Sequence, residues 1–287
     1  MSIACTGDNV IDIYLGSGQG YPGGNAVNVA VAACRSGEPS AYVGAVGQDD
    51  FGAILRQSLA SEGVATDHLR VLAGTTAWCE VRVVDGDREF LNADEGVSRI
   101  TLSDSDLDYL AGFSVVHTGD NSMLESQVAA IAARAKVSFD FGERPRGYVD
   151  ELIGHVWCAC FSASRLSADA ATALADEMAA LGPAVVLVSE GSRGAQLVVD
   201  GARYRSASHA AAVTDSLGAG DALIGGVLAG LVSGQPPQDA LTAGMQLAAR
   251  TVSDYGAFGY GFDLDASAVR PVSIPRPHDH HEARRQG

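Results

Sequence analysis

Residues 215–221 read Asp-Ser-Leu-Gly-Ala-Gly-Asp and lead directly into an apolar helical pattern over Ala222–Leu231. Small residues before a helix leave its first backbone N–H groups unpaired and accessible, and the helix dipole adds partial positive charge. Such a turn can hold a phosphate-like anion. Asp221 starts the same helix, where its carboxylate can take the proton of a hydroxyl placed against that anion. Taken alone, the segment has an alternative interpretation without any ligand, in which the glycines belong to an ordinary loop and Asp221 is a helix N-cap. We expect the small residues to form the anion site: Gly218, Ala219 and Gly220.

A second segment joins a glycine pair to a helix and reads Gly23-Gly24-Asn25-Ala26-Val27-Asn28. Asparagines three residues apart share one helix face, and a carboxylate from the end of the first strand unit adds hydrogen-bond acceptors. This combination suits a ligand with neighbouring hydroxyls. A Gly-Gly loop with Asn25 as helix N-cap is the alternative. The predicted substrate-binding residues are therefore Asp12, Gly23, Gly24, Asn25 and Asn28.

A third glycine-rich segment, Ser189-Glu190-Gly191-Ser192-Arg193-Gly194, follows an apolar strand. Glycines let the backbone approach a ligand closely. A glycine loop by itself assigns no ligand, so this segment gains meaning only from its place beside the other two.

Composition limits the classes of function. The 287 residues are 47% hydrophobic with a mean hydropathy of +0.10, which is too apolar for a disordered chain. Acidic residues outnumber basic ones by 35 to 19, a net charge of −16, so nucleic-acid binding is disfavoured. Apolar windows long enough to span a membrane are absent from the sequence. Five cysteines without CxxC spacing suit reduced thiols, so we expect a soluble cytoplasmic protein that binds neither nucleic acid nor membrane.

The single lysine, Lys136, excludes two common designs for phosphoryl transfer. A Walker A loop needs Gly-Lys-Ser/Thr, and a protein kinase needs a strand lysine in a Val-Ala-Ile-Lys context. Lys136 is followed by Val137 and fits neither. A protein that handles phosphate here must use backbone donors instead.

Short runs rich in Val and Ile alternate with helical patterns, which predicts an α/β fold with a mostly parallel sheet. The predicted strands are Ile3–Thr6, Ala41–Val46, Ser114–His117, Val137–Asp140, Val156–Phe161 and Val185–Ser189. The predicted helices are Asn25–Ser36, Phe51–Glu62, Ser122–Ala135, Ser167–Ala180, Ala219–Val232 and Pro237–Asp254.

Two hairpins interrupt this alternation, Trp78–Val84 with Arg88–Leu91 and Gln196–Val199 with Arg203–Arg205. The first, together with Tyr14–Gln19, predicts a small sheet with strands near 12–20 and 76–97 that projects from a main domain over residues 1–265. A two-stranded hairpin cannot bury its own apolar face, so we expect a homodimer through this sheet. Residues 266–287, rich in Pro, Arg and His, are predicted to be a flexible C-terminal tail.

The three segments, in this order, resemble the ribokinase (PfkB) family of carbohydrate kinases. The family's second signature contains Asp-Thr-x-Gly-Ala-Gly-Asp, which residues 215–221 match except at Ser216, and Gly23–Asn28 matches its Gly-Gly-x-x-x-Asn helix start. The likeness covers roughly residues 3–262. It implies a three-layer α/β/α sandwich in which the small β sheet is a lid.

The resemblance also assigns roles. Asp221 would be the catalytic base beside the anion hole, and Asp12, Gly24 and Asn28 would hold sugar hydroxyls. ATP with Mg²⁺ would be the phosphoryl donor, and Asp215 would belong to a loop that can take a monovalent cation such as K⁺. The residues implied at the nucleotide phosphates are Ser189, Gly191 and Gly194.

Within the family, several segments resemble the branch that phosphorylates the 6-hydroxyl of fructoselysine: Gly7-Asp8-Asn9, Asp12-Ile13-Tyr14, Gly23–Val31, Val46-Gly47 with Asp49-Asp50, and Glu95-Gly96-Val97. A fructosamine carries a secondary ammonium, with which the lid-side acids Asp94 and Glu95 could pair. The alternative is that these acids belong to a generally acidic surface.

One departure concerns the family's Asn-x-x-Glu element, which organises magnesium. Ser162-Ala163-Ser164-Arg165 stands there instead. Phosphates and water would then hold the metal with help from other acids such as Asp140 or Asp215, or the activity is altered. Arg165 would instead contact phosphate. The open alternatives are a kinase for fructose, ribose or a nucleoside, and a non-catalytic sugar- or nucleotide-binding regulator. A Rossmann dehydrogenase is disfavoured because the first strand lacks a following Gly-x-Gly-x-x-Gly.

Overall fold

The structure is a computed structural model and describes residues 3–84, 87–209 and 212–264. The strands in these ranges are β1 (Ile3–Thr6), β2 (Val10–Tyr14), β3 (Gln19–Gly23), β4 (Ser40–Gly47), β5 (Leu69–Leu72), β6 (Trp78–Val84), β7 (Asp87–Asp94), β8 (Val115–Gly119), β9 (Lys136–Asp140), β10 (Cys158–Ser162), β11 (Val185–Ser189), β12 (Ala195–Val199), β13 (Ala202–Ser206) and β14 (Phe262–Asp263). The helices are α1 (Asn25–Arg35), α2 (Asp50–Ser61), α3 (Asp104–Leu110), α4 (Val128–Ala132), α5 (Arg146–Leu152), α6 (Ala168–Ala179), α7 (Ala219–Val232) and α8 (Pro237–Thr251). The predicted tail, 266–287, lies outside the described residues.

Nine strands form the main sheet in the order β13-β12-β11-β10-β9-β8-β1-β4-β5. Pairing is parallel from β11 to β5, and β12 and β13 add an antiparallel edge. Because a parallel sheet must be covered on both faces, its strands are near-continuous apolar runs. The predicted α/β class with a mostly parallel sheet is confirmed.

Two hydrophobic cores cover the two faces of this sheet. One packs α1, α7 and α8 against alternate strand residues such as Ile3 and Leu187. The other packs α3 to α6 against the residues between them, such as Ala4 and Val186. The molecule therefore has three layers, helix, sheet and helix. Among the described residues, every helix is too short or too polar to cross a bilayer.

A second sheet of five strands has the order β14-β3-β2-β6-β7. The prediction for Tyr14–Gln19 is partly wrong, because these residues mainly form the turn between β2 and β3. The expected uncovered apolar face is also wrong for the described part of the hairpin, where Trp78, Cys79 and Val81 are buried within the single chain. Phe90 is the exception and is 51% exposed.

Other differences concern helix length and short elements. The predicted helix Ser122–Ala135 is a 3-10 turn followed by the five-residue α4, and the sequence analysis did not predict β5, α3 or α5. These pieces carry few apolar residues each, so their periodicity is too short to read.

Candidate active site

The site lies at the carboxyl edge of the main sheet, where the chain changes direction. From β1 the chain passes to β4 and β5 on one side, and β8 then continues the sheet on the other side. Ligands of open α/β sheets bind in the crevice at such a switch point. The strands there are each followed by or end in an aspartate: Asp8 after β1, Asp120 after β8 and Asp140 at the end of β9.

Helix α1 begins beside this edge, and an acid outside the helix caps it. The Asp8 carboxylate accepts the backbone N–H of Asn25 at 2.7 Å and that of Ala26 at 3.4 Å. Gly24 is the N-cap, with φ of 109°, and a Cβ there would lie 2.7 Å from the Cα of Asn9. The alternative in which Asn25 caps the helix is therefore wrong, and its side chain is available for another role.

Helix α7 starts next to α1, with both N-termini at the site. Gly218 is its N-cap in the left-handed region, at φ of 75°. Six residues after the start of α7, a Cβ on Gly225 would lie 2.8 Å from the backbone oxygen of Val29, so this glycine lets the two helices approach closely. Asp221 precedes Gly225 by one turn, and Asn25 precedes Val29 by one turn. The close approach therefore places Asp221 against Asn25.

Both predicted asparagines donate to Asp221. Asn25 Nδ2 lies 2.8 Å from Asp221 Oδ1, and Asn28 Nδ2 lies 2.7 Å from Asp221 Oδ2. The same Asn25 nitrogen also donates to Asp140 Oδ2 at 2.9 Å. The asparagine nitrogens thus hold a carboxylate, a contact that the sequence analysis did not foresee.

The electrostatics of this cluster favour proton transfer. Burial raises the pKa of Asp221 to about 6, against the lowering effect of Asn28 and Asn25. Burial and the charges of Asp221 and Asp120 raise the pKa of Asp140 to about 8. Neighbouring acids with separated pKa values can divide the roles of proton holder and proton acceptor. At neutral pH, Asp221 is the ionised member that can accept a proton.

Asp12 and Asn28 converge beside Gly23. A Cβ on Gly23 would lie 2.7 Å from Asp12 Oδ2 and 3.8 Å from Asn28 Oδ1, so the glycine leaves room for both groups. Asp12 is buried, and Asn28 Oδ1 is a buried acceptor without a donor among the described residues. A hydroxyl can satisfy such an acceptor. The structure thus brings these predicted residues together.

Asp94 and Glu95 lie at the end of β7, away from this cluster. In the second sheet, Asp94 pairs with Trp78, and Trp78 pairs with Ile11. Asp94 therefore shares a face of the sheet with Ile11, and Asp12 lies on the opposite face. Its carboxylate accepts the backbone N–H of Gly96 at 2.9 Å. Glu95 is exposed.

The loop after β11 holds the predicted phosphate-binding residues. Gly191 and Gly194 have φ of 59° and 112°, and a Cβ on Gly194 would lie 2.1 Å from the backbone oxygen of Ser206. The hydroxyl of Ser189 donates to the backbone oxygen of Phe161 at 3.3 Å. Only glycine fits at position 194, so this turn stays close to the chain beside it.

Arg193 fixes the neighbouring loop rather than facing a ligand. Its guanidinium donates to the backbone oxygens of Ala163 at 3.0 Å and Leu166 at 2.8 Å. In that loop the exposed Arg165 lies 3.8 Å from Glu143. An acid, Glu143, therefore lies beside the loop after β10, in which the sequence departs from the family pattern.

Asp215 braces the turn that precedes α7. Its carboxylate accepts the backbone N–H groups of Leu217 and Gly256 at 3.0 Å each, and the hydroxyl of Tyr14 at 2.5 Å. Among the described residues, groups of three or more His, Cys, Asp or Glu side chains able to hold a metal are absent. The cation role of Asp215 remains a prediction.

The model of the pfkB family carbohydrate kinases matches residues 4–259. The chain belongs to this family. This PfkB-family kinase is 36% identical over 268 residues to the fructosamine kinase FrlD of Bacillus subtilis (strain 168), covering 91% of this chain and 94% of the relative. It is 33% identical over 261 residues to the fructoselysine 6-kinase of Escherichia coli (strain K12), covering 90% of this chain and 99% of the relative.

Solved structures confirm the fold of the kinase. Arabidopsis thaliana ribokinase, complexed with ribose and ATP, superposes with a TM-score of 0.78 at 22% identity, covering 90% of this chain and 94% of that chain. Ribokinase from Thermotoga maritima gives 0.75 at 21% identity, with the same coverage. The predicted ribokinase-like three-layer fold and the prediction of a carbohydrate kinase are confirmed.

The sequence analysis of this PfkB kinase missed part of the site. Asp8 was quoted only as part of a resemblance, Asp120 was not singled out, and the buried His117 was read only as the end of a strand. The signal that could have found them is their common place at the carboxyl ends of neighbouring parallel strands.

Proposed function

We propose that this carbohydrate kinase transfers the γ-phosphoryl group of ATP to the 6-hydroxyl of fructoselysine or a related fructosamine. The observation that carries the chemistry is the Asp221 carboxylate, held by Asn25 and Asn28 at the start of α7. The observation that favours this substrate is the 33–36% identity, over about nine tenths of the chain, to relatives named as fructosamine and fructoselysine kinases.

The roles in transfer follow from this placement. Asp221 takes the proton of the sugar hydroxyl while the hydroxyl oxygen forms a bond to the γ-phosphorus, and the bond from that phosphorus to the bridging oxygen of ADP breaks. The first backbone N–H groups of α7, with the helix dipole, stabilise the charge on the transferred group. Gly218, Ala219 and Gly220 supply this turn.

The sugar side uses oxygens already placed in the site. Asp12 and the Asn28 carbonyl oxygen, which converge beside Gly23, accept hydrogen bonds from neighbouring hydroxyls. Gly24 fixes the start of α1 that carries Asn28. We place the amine of a fructosamine near Asp94 or Glu95, where a charge-assisted bond would form if the end of β7 closes over the sugar.

The nucleotide would lie along the loop Ser189–Gly194. Mg²⁺ supplies charge neutralisation between the phosphates and prefers oxygen ligands. Asp120 after β8 and Asp140 at the end of β9 would contribute at most two carboxyl groups to the ion at this edge. Nucleotide phosphates and water would complete its coordination, in place of the glutamate that Arg165 replaces. A K⁺ ion near Asp215 is part of the same proposal.

The test is a coupled ADP-release assay of the purified protein with fructoselysine, fructose, ribose and adenosine. We expect kcat/KM to be highest for fructoselysine. Equal kcat/KM for fructoselysine and fructose would reject the fructosamine assignment and leave a sugar kinase. ADP release with none of the four would favour a different acceptor, and binding without turnover would favour the regulator.

We also propose a homodimer through the second sheet, supported by the half-exposed Phe90 on β7. Light scattering at micromolar concentration should give twice the 29.5 kDa chain mass. Phe90→Asp should shift the protein toward the monomer, and a wild-type monomer under these conditions would reject the proposal.

A further inference from the structure

A line of buried polar side chains runs from the middle of the main sheet to Asp221. Ser138 Oγ lies 3.0 Å from His117 Nδ1, and His117 Nε2 lies 3.1 Å from Asn25 Oδ1. Asn25 Nδ2 in turn contacts Asp221 and Asp140. His117 and Ser138 are fully buried on the neighbouring strands β8 and β9, so the line is part of the core beneath the site.

The donors and acceptors along this line have one consistent arrangement. Asn25 must direct its NH₂ group to the ionised carboxylate of Asp221, because its carbonyl oxygen would face a charged oxygen if the amide were reversed. Its Oδ1 therefore accepts, and His117 must carry a hydrogen on Nε2. Nδ1 is then an acceptor for the Ser138 hydroxyl. Burial lowers the pKa of His117 to about 3, so the ring stays in this neutral form.

The backbone is also built around this amide. A Cβ on Gly119, the last residue of β8, would lie 2.7 Å from Asn25 Oδ1. Glycine at this position therefore leaves room for the Asn25 carbonyl next to the imidazole of His117. Two independent features, the hydrogen bond from His117 and the absence of a side chain at Gly119, thus fix the orientation of the Asn25 amide.

We propose that His117 is a positioning residue for phosphoryl transfer: it locks the Asn25 amide in the orientation that holds the carboxylate of Asp221. The inference rests on the proposed role of Asp221 as base. His117 touches neither sugar nor nucleotide in this proposal, and Ser138 sets its tautomer. Without the imidazole, the Asn25 amide can turn and Asp221 loses a donor to its charged form.

The pH profile separates positioning from a merely structural role. The ionisable groups that face Asp221 come from several elements and are Cys5 on β1, Asp8 after β1, Asp120 after β8 and Asp140 on β9. All of them remain when His117 is replaced. Loss of the Asn25 hydrogen bond raises the pKa of Asp221, so the acidic limb of the kcat profile should move to higher pH.

The experiment measures kcat, KM and thermal melting of five variants, Asp221→Asn among them, from pH 6 to 9. We expect His117→Leu to lower kcat at least 10-fold at pH 6.5 and less at pH 9, with KM for sugar and ATP within about threefold of wild type. His117→Gln, which keeps an N–H donor, should recover part of kcat, and Ser138→Ala should give a smaller shift in the same direction. Thr118→Val is the matched control, since Thr118 is equally buried on β8 and its hydroxyl has no partner among the described residues.

Four outcomes decide the matter. A wild-type pH profile for His117→Leu overturns the proposal. A kcat loss of the same factor at every pH, together with a lower melting temperature, shows a structural role and overturns it as well. If Asp221→Asn retains turnover, the proposed role of Asp221 is wrong. If Asp221→Asn is inactive and His117→Leu behaves like wild type, only the proposed role of His117 is wrong.

Discussion

The cluster around Asp221 and the turn at Asp94-Glu95 both present carboxylates, but they are built differently. Asp221 is buried, and it is held by side chains almost 200 positions away in the sequence. Asp94 accepts hydrogen bonds from Gly96, two residues away, and from Thr75, 19 residues away, and Glu95 is exposed. The cluster around Asp221 is organised before any ligand binds. The turn at Asp94-Glu95 gains a role only if a ligand binds and the end of β7 closes over it.

The largest expected effect tests the organised region. Asp221→Asn should lower kcat by about 10²–10⁴, because the hydroxyl proton loses its acceptor. Sugar affinity should stay close to wild type, since Asp12 and the Asn28 carbonyl remain in place. Steady-state kinetics and calorimetric titration with fructoselysine measure both. A variant that keeps more than a tenth of wild-type kcat would remove Asp221 from the role of base.

Substitutions at two glycines of the turn before α7 separate an effect on catalysis from an effect on stability. A Cβ on Gly220 would meet no described atom within 4 Å, so Gly220→Val should fold normally and obstruct only the space before α7. We expect its kcat to fall about 10- to 100-fold, the range for loss of an anion-stabilising contact. Gly218 has φ of 75° and a Cβ there would lie 2.5 Å from that of Ala257.

Gly218→Ala is the comparison variant, and it should cost about 1–3 kcal/mol of stability through backbone strain. Gly218→Ala should therefore melt below Gly220→Val, whereas kcat should fall in both. A Gly220→Val protein with normal melting and normal kcat would argue against an anion site in this turn.

The half-buried Asp94 and the exposed Glu95 test the other half of the comparison. If Asp94 or Glu95 pairs with the substrate ammonium, Asp94→Asn or Glu95→Gln should raise KM for fructoselysine about 10- to 100-fold, the value of a charge-assisted hydrogen bond. KM for fructose, which has no cation, should change little. Glu151→Gln, at an exposed acid of α5, controls for loss of surface charge. An equal rise for both sugars would show that these acids do not recognise the amine.

The same contrast shows how far the sequence could predict the site. The main strands and the start of α7 at Ala219 followed from periodicity and small residues, and Asp221 followed from its place at that helix start. The contact between Asn25 and Asp221 could not be predicted, because it depends on how closely α1 and α7 pack at Gly225. The location of Asp94 depends on strand register, which puts it on the face opposite Asp12.

The smallest expected effect concerns stability and pH. Burial raises the pKa of Asp140 from 3.8 to about 8, so its contribution to stability is present at low pH and is lost as the pH rises through about 8. An asparagine at position 140 cannot ionise. Asn25 and the backbone N–H of Gly142 both donate to the Asp140 carboxyl group. The amide NH₂ of the substituted side chain would therefore face one of these two donors, which is unfavourable. The variant should therefore melt below wild type at pH 5, and the difference should shrink or reverse by pH 9.

We expect the Tm difference between Asp140→Asn and wild type to change by about 5 °C between pH 5 and pH 9. The reason is that 1 kcal/mol of stability shifts Tm by about 2–4 °C in a chain of this size class. Other buried acids titrate in both proteins, so their contributions largely cancel in the difference. Glu95→Gln serves as the control for the loss of an exposed carboxyl group. A Tm difference between Asp140→Asn and wild type that stays flat from pH 5 to 9 would mean that Asp140 does not hold its proton in the folded protein. The buried cluster would then tolerate two neighbouring charges, and the Asn25 amide would be the group that compensates them.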